Sequence, residues 1–551
     1  MTAAYLAPAP PGAGAAWRSH RWSPVAPLVA AALVGLGLRL GWRGVDLPAQ
    51  LYRVAQVRAH GITVWDSQWY GGHWTFSYSV IFPAVAAFIG VGLLALLSAA
   101  AAALAFDRLA AAYARNPRNA VGTPAARAAS LVFAVSTIVE LAIGQLPFLF
   151  GEALALWCLV AILSRSWIPA AALAVATSLS SPLAGAFLAL ALLAWALSHR
   201  DRRRLVGLAL AGAVLPVAAT AVLFGAPGQM PYPARDFAWE LVVALCLCVL
   251  TPRGQRSLRL AIGLYAVAIV GSFAIPSAVG GNIGRLEDLL GLPLAVMLLW
   301  TRRRVLLVLV AIPLALSQWA PAWGAMTSNG SQPSTHRAYY TPLVSWLQGE
   351  GAAHVPAGRV EVVPTKYHWE ATYVAPAVAL ARGWERQLDL GKDSLFYTPG
   401  ALDGASYMQW LRSNGVTYVA LADAPLDYAA VAEANLVRAG VAGLRPVWQT
   451  PHWRVYRVDG SLGMVEGAAQ LVSAAGGHVV LRFTSPGAAL LRVRYNPYWR
   501  ARGNAGCVAP APGDWTSVVS GSAGTLNLDL RLLASGTSVC PAGVGSPAAS
   551  S

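Results

Sequence analysis

Residues 128–164 read AASLVFAVSTIVELAIGQLPFLFGEALALWCLVAILS. Two apolar runs, 128–143 and 147–164, meet at a Gly-Gln turn, with Arg127 before the first and Arg165 after the second. Each run approaches the roughly 20 apolar residues that cross a bilayer as a helix. Arginine beside a membrane helix marks its inner end. The stretch therefore predicts a helical hairpin with both ends inside and its turn outside.

Similar runs lie on either side, at 25–38, 79–106, 168–180, 182–198, 205–224, 238–251, 258–276, 289–300 and 305–320. Together they predict a polytopic α-helical membrane protein with about 11 transmembrane helices over residues 25–320. Composition agrees. Of 551 residues, 56% are hydrophobic and 12% charged, against about 25% charged in a soluble domain. Mean hydropathy is +0.53. A disordered chain, a collagen-like fibre and a single soluble enzyme domain are excluded.

The net charge is +16, which in a soluble chain would suggest nucleic acid. Here arginine follows the threading. With the N-terminus inside, the inner loops hold seventeen arginines and the outer loops before residue 321 hold five, Arg43, Arg53, Arg58, Arg235 and Arg285, with Arg39 at the outer end of the first run. That positive-inside bias accounts for much of the charge without nucleic acid. It predicts a multi-pass cell-membrane protein with a cytoplasmic N-terminus. Residues 1–24 read as a disordered cytoplasmic tail, and everything beyond about residue 320 falls outside. Acids fall in outer loops or near outer helix ends: Asp46, Asp66, Glu140, Glu152, Asp236, Glu240, Glu287 and Asp288. Several, Glu152 and Glu240 above all, suit helix starts, where a carboxylate complements the dipole. The alternative is an outward-facing acidic cavity.

The first outer loop is long. Residues 41–83 read GWRGVDLPAQLYRVAQVRAHGITVWDSQWYGGHWTFSYSVIFP. Asp46 follows the first helix at the expected membrane surface. Leu47–His60 predicts a short amphipathic helix along the interface. Trp65, Trp69, Tyr70, Trp74 and Tyr78 suit the headgroup zone, and Gly71-Gly72 predicts a tight turn presenting His73. The bland reading is an aromatic belt with incidental charges.

An Asp after the first helix, Tyr52-Arg53 on a helix, then Gly-x-x-x-Trp-Asp-x-x-Trp-Tyr-Gly-Gly (61–72) and an aromatic Ser-Tyr segment stand in one order. This order over 41–78 resembles the first outer loop of bacterial GT-C-type integral membrane glycosyltransferases, including the YfhO-like group. The resemblance implies a sugar carried on polyprenyl phosphate and a glycan, lipid or protein acceptor. It assigns Asp46 as general base, which would take the acceptor's hydroxyl proton. A cation beside the leaving phosphate would stabilise developing charge. Arg285 is the first candidate, because its fork binds two oxygens, and His73 the second; a local ion pair with Glu287 or Asp288 is the alternative for Arg285. Asp66 either binds acceptor or metal, or caps its turn. Tyr52, Arg53, Trp69, Tyr70 and Glu140 are candidates for the acceptor cavity. The paired acids of many family members are absent beside Asp46, where Val45 and Leu47 stand. No cofactor is specified, and a divalent metal remains open.

Composition shifts near residue 320. A Ser/Asn/Gly/Pro linker (321–340) leads to alternating helix and strand signals over 341–460, predicting an extracytoplasmic α/β domain. Residues 461–545 alternate with period two and predict a β-sandwich, with a disordered tail at 546–551. KYHWEATYVAPAVALARGWERQLD (366–389) and YNPYWRARG (495–503) resemble the outer region of the same group. Tyr367, His368, Trp369, Glu370, Arg382, Trp384 and Glu385 thus border a cavity, bind a glycan, or pack a domain interface. Cys507 and Cys540 could pair as a disulfide outside the cell, whereas Cys158, Cys246 and Cys248 sit in apolar runs as packing residues. No catalytic triad, metal-spaced Cys/His set, P-loop, dinucleotide fingerprint or internal repeat is present. The rival readings are a transporter or flippase of a lipid-linked envelope intermediate and a non-catalytic scaffold.

Overall fold

The computed structural model describes residues 24–116, 121–199, 203–225, 228–300, 303–329, 331–532 and 538–540. The tails predicted at 1–24 (Pro24 excepted) and 546–551 lie outside the described residues, as do several arginines counted above.

The first half is helical: α1 (Val25–Arg39), α2 (Leu47–His60), α3 (Phe82–Ile89), α4 (Val91–Arg115), α5 (Thr123–Ile143), α6 (Leu146–Leu163), α7 (Trp167–Ser180), α8 (Pro182–Ser198), α9 (Arg203–Phe224), α10 (Ala234–Leu250), α11 (Arg256–Ala274), α12 (Arg285–Leu299) and α13 (Arg304–Gly324). Prolines open α2, α3, α5, α6 and α8, where a missing N–H costs nothing. Six helices among the described residues are long and apolar enough to cross a membrane by length and composition, and three shorter apolar helices accompany them. The run at 79–106 is not one helix: it divides at Gly90, whose φ of 92° no helix interior accepts. Alanines fully buried between α1, α4 and α5, among them Ala30, Ala99, Ala102 and Ala129, let those backbones approach closely. Phe106 stacks on Phe133 at 4.2 Å within the same core. Aliphatic side chains such as Leu215, Val222, Val249 and Val305 instead point outward from the bundle, the pattern of helices facing a nonpolar solvent.

The C-terminal region is β-rich. Helix α14 (Arg337–Gln348) leads into strands β3 (Arg359–Val362), β4 (Val416–Ala422), β5 (Leu444–Gln449) and β6 (Trp453–Val458), ordered β3-β4-β6-β5 with only the β3–β4 pairing parallel. Every residue of β4, VTYVALA, is buried, because packed groups cover both faces of the sheet. Helices α15 (Gly404–Ser413) and α16 (Val431–Ala439) cover one of them. Strands β7 (Val465–Gly467), β8 (Ala469–Ala475), β9 (His478–Phe483), β10 (Gly487–Arg494), β11 (Trp499–Arg502), β12 (Cys507–Ala511), β13 (Trp515–Ser520) and β14 (Gly524–Leu530) form two antiparallel sheets, β12-β13-β10-β7 and β11-β14-β9-β8. Their inward residues, Leu481, Leu491, Val493, Val518 and Leu528, form the core between them. A Cys507–Cys540 disulfide ties β12 to the chain beyond β14.

The long loop at 41–83 joins these parts. In its hairpin, β1 (Trp65–Asp66) and β2 (His73–Trp74), Trp65, Trp69 and Tyr70 are buried, which corrects their placement in the headgroup zone, while Trp74 and Tyr78 are half-buried. Trp65 enters the sandwich core 6.4 Å from Trp499. Trp69 is sealed between Tyr52 at 4.2 Å and His73 at 5.7 Å. The α/β sheet region and the sandwich both grip the turn: Leu380 N donates to Gln68 O at 2.8 Å, and Arg494 N to Gly71 O at 2.8 Å. Gly72 has φ +127°, and a Cβ there would stand 2.4 Å from the Trp65 ring.

Candidate functional site

Asp46 is held by two interlocking turns. After α1 the chain passes so close to the α5–α6 turn that a Cβ on Gly44 would lie 2.0 Å from the Ile143 carbonyl. Only glycine fits. Asp46 N then donates to Ile143 O at 3.0 Å. Gly144, at φ 94°, ends α5 in a left-handed cap donating to Glu140 O and Leu141 O. Asp46 occupies the N-cap position of α2, but its carboxylate makes no capping bond. It faces Arg285, 3.7 Å away, and both side chains are about one-fifth exposed.

Arg285 opens α12. Its guanidinium carbon lies 5.9 Å from the Phe148 ring. With its amide oriented to satisfy both neighbours, Gln145 accepts from Arg285 Nη2 at 3.1 Å and donates to Glu140 Oε2 at 3.0 Å. Asp46, Arg285, Gln145 and Glu140 thus form one polar relay from three separate stretches of chain. Arg285 pairs with Asp46, not with the adjacent Glu287 or Asp288.

Phe148 also lines a cavity of about 240 Å³ between α6, α8, α10, α11 and α12. Its wall is almost wholly apolar, with Phe187, Leu247 and Leu290 representative. Two carboxyls interrupt it. Both Glu152 oxygens and Glu287 Oε2 are buried without a hydrogen-bond partner. Neither Glu152 nor Glu240 lies in the first turn of its helix, so dipole complementation at a helix start does not explain them. Glu240 instead accepts from the Tyr232 hydroxyl.

The other predicted site residues lie elsewhere. Asp66 is buried and caps its own turn, accepting from Gln68 N at 3.0 Å and from the Tyr52 hydroxyl at 2.7 Å. Burial pushes its pKa up to about 6. His73 is stacked under Trp69, and burial, reinforced by Arg53 and Lys392, drives its pKa down to about 3. It is therefore neutral at pH 7, which removes it as a phosphate-binding cation. Tyr52, Arg53, Asp66 and His73 border a void of only about 30 Å³, room for water. Arg53 donates to Glu385 at 2.7 Å in a buried ion pair. Tyr70 is buried, and its hydroxyl accepts from Glu385 N at 3.1 Å.

The segment 366–389 packs an interface. His368, at φ 54°, contacts Asp427 at 3.2 Å and Glu370 at 3.4 Å. Burial alone would lower its pKa; the two carboxylates outweigh that and raise it. Glu370 accepts from Thr365 Oγ1 at 2.7 Å. Trp369 is buried, with Arg43 5.2 Å from its ring. Tyr367 is buried too, and Arg382 is clasped by Glu361 and Glu433. Trp384, which the sequence grouped only with this segment, reaches the site: its Nε1 donates to Val45 O at 2.7 Å. The two residues are 339 positions apart, and no local pattern marks such a pairing.

Among the described residues no group of three or more His, Cys, Asp or Glu side chains is arranged to hold a metal ion. The geometry offers instead a carboxylate, a guanidinium and an apolar hollow side by side. Comparison of the chain with protein-family models and with curated proteins finds no match.

Proposed function

We propose that this chain is a GT-C-like membrane glycosyltransferase, threaded through the cell membrane about eleven times with its N-terminus inside. It transfers a sugar from a polyprenyl-phosphate donor to a cell-envelope glycan, lipid or protein on the outer face. The observation that carries this reading is the Asp46–Arg285 pair at 3.7 Å, set beside Phe148 on the rim of an apolar cavity.

The chemistry follows from that pairing. A donor phosphate offers two oxygens to the Arg285 fork and competes with Asp46 for it. Asp46, released, accepts the proton of the acceptor hydroxyl. The acceptor oxygen forms its bond to the anomeric carbon as the bond from that carbon to the phosphate oxygen breaks. The electron pair leaves on the phosphate, where Arg285 stabilises it. The isoprenoid chain occupies the cavity.

The test uses purified protein in liposomes with a panel of polyprenyl-phosphate sugars and mass-spectrometric detection of product. Asp46→Asn is expected to slow transfer by about 10²–10⁴, the usual contribution of a general base, while donor binding persists. Undiminished transfer by that variant refutes the assignment. A second reading, a transporter or flippase, draws support from the unpartnered Glu152 carboxyl and Glu287 Oε2 on the cavity wall, because ionisable groups at such depth often serve translocation. Movement of a labelled lipid-linked sugar across liposomes without any transfer would favour it.

A further inference from the structure

The segment that carries Asp46 belongs to no regular element until α2 begins, yet the outer half holds it at several points. Trp384 Nε1 donates to the Val45 carbonyl at 2.7 Å. Two residues earlier, Arg43 Nη1 donates to Thr335 O at 2.6 Å and to the Tyr373 hydroxyl at 3.2 Å. From the membrane side the same segment is tied by Asp46 N to Ile143 O. The carbonyl bonded by Trp384 belongs to the peptide whose N–H is that of Asp46, so both polar groups of one peptide plane are fixed from opposite directions. A peptide plane held at both groups loses its freedom to rotate, which fixes the Asp46 N–Cα bond and so the place from which its side chain departs toward Arg285.

Trp384 is itself fixed. Its ring stacks on His368 with centroids 3.5 Å apart and planes within 7°, and the Arg386 guanidinium carbon lies 5.0 Å from it. His368 and Arg386 share Asp427, at 3.2 and 2.7 Å. With these rings and ions around it, the indole is a rigid arm ending on the Val45 carbonyl.

We propose that Trp384 is a positioning residue for Asp46: the outer domain sets the direction of the candidate base through one indole hydrogen bond. The inference rests on the glycosyltransferase reading for its kinetic consequence and stands apart from it for its structural one. Trp384→Phe keeps a smaller aromatic ring to stack on His368 and removes the indole N–H. Hydrogen exchange of the full-length protein in detergent, resolved on peptides covering 41–47, is expected to quicken about five- to tenfold, with exchange in β3 and β4 unchanged. In liposome transfer, kcat is expected to fall about tenfold or more with the KM for donor unchanged, since small misplacements of a reacting group are costly. Tyr373→Phe, which removes a hydroxyl bonded by Arg43, is expected to shift the same peptides in the same direction.

Faster exchange at 41–47 in a protein showing no transfer even as wild type supports the positioning contact and sinks the transferase reading alone. Unchanged exchange at 41–47 in Trp384→Phe overturns the proposal. So does exchange that quickens throughout β3 and β4, because Trp384 would then be ordinary packing.

Discussion

The Arg53–Glu385 pair lends itself to a quantitative test of how α2 is joined to the C-terminal half. The two side chains meet at 2.7 Å and are 7% and 4% exposed. Burial raises the Glu385 pKa against the opposing pull of Arg53, so desolvation offsets part of the attraction. Removing one partner leaves the other charge buried and uncompensated, at a cost of about 3–5 kcal/mol. Arg53 has a partial substitute in the Tyr78 ring, 4.3 Å from its guanidinium carbon, worth about 0.5–2 kcal/mol. Glu385→Gln is therefore expected near the low end, about 3 kcal/mol. Arg53→Met, which strands the carboxylate, is expected near about 4 kcal/mol. The double variant Arg53→Met/Glu385→Leu strands nothing and is expected within about 2 kcal/mol of wild type. For a C-terminal region of this size, about 2–4 °C of Tm accompanies each kcal/mol, so Glu385→Gln lowers Tm by about 6–12 °C. Thermal unfolding in detergent, followed by tryptophan fluorescence, reads the cycle. A double variant as unstable as the two singles added together would refute the reasoning, since it would mean that the charges act independently.

Four further outcomes are expected. Asp66 and His73 drive pH dependence in opposite senses. The Asp66 pKa is raised from 3.8 to about 6, so its contribution is greatest below about pH 4 and is lost as pH climbs to 6; the His73 pKa is lowered from 6.5 to about 3, so its contribution is full above 6.5 and is lost on acidification. His73→Gln should flatten the fall in Tm between pH 6.5 and 4, and Asp66→Asn should steepen it. Replacing Cys507 and Cys540 by Ser opens a loop of sequence separation 33 and should destabilise the sandwich by about 4 kcal/mol in chemical denaturation. Gly44→Ala forces its methyl against the Ile143 carbonyl and should reduce kcat by tenfold or more in the liposome assay, through displacement of Asp46. Ala191→Phe places a ring in the cavity that Ala191 lines and should raise the KM for lipid donor while leaving kcat close to wild type.

Much of the architecture was legible because it rests on local periodicity. The Gly144 turn of the opening hairpin, the limits of α2 and the alternation in TLNLDLRLL each follow from a few neighbouring residues. Gly90 shows where that reading fails: an apolar run carries no sign that one glycine within it adopts a conformation closed to helices. At the site, the resemblance of the first loop implied Asp46, and the cation that its chemistry calls for implied Arg285; the two do meet. Which carboxylate Arg285 would choose was not legible, since Glu287 and Asp288 are its neighbours in sequence and Asp46 only in space. The aromatics of the first loop misled for a related reason. Trp and Tyr suit a membrane interface and a domain interface equally, and only tertiary packing distinguishes the two. Nothing near Trp384 pointed to Val45.

The burial of Trp65 and Trp69 also imposes an order on biosynthesis. The Tyr70 carbonyl and its partner Arg494 are separated by 424 residues. At about 5–20 residues per second, the hairpin emerges roughly 20–80 seconds before the strands that will enclose it exist. For that interval the Trp65 indole has no partner from the sandwich, and a nascent chain halted before β10 leaves it exposed. Premature termination before β10 thus leaves an aggregation-prone patch far back along the polypeptide, and quality control can recognise an unfinished sandwich by inspecting the first loop made.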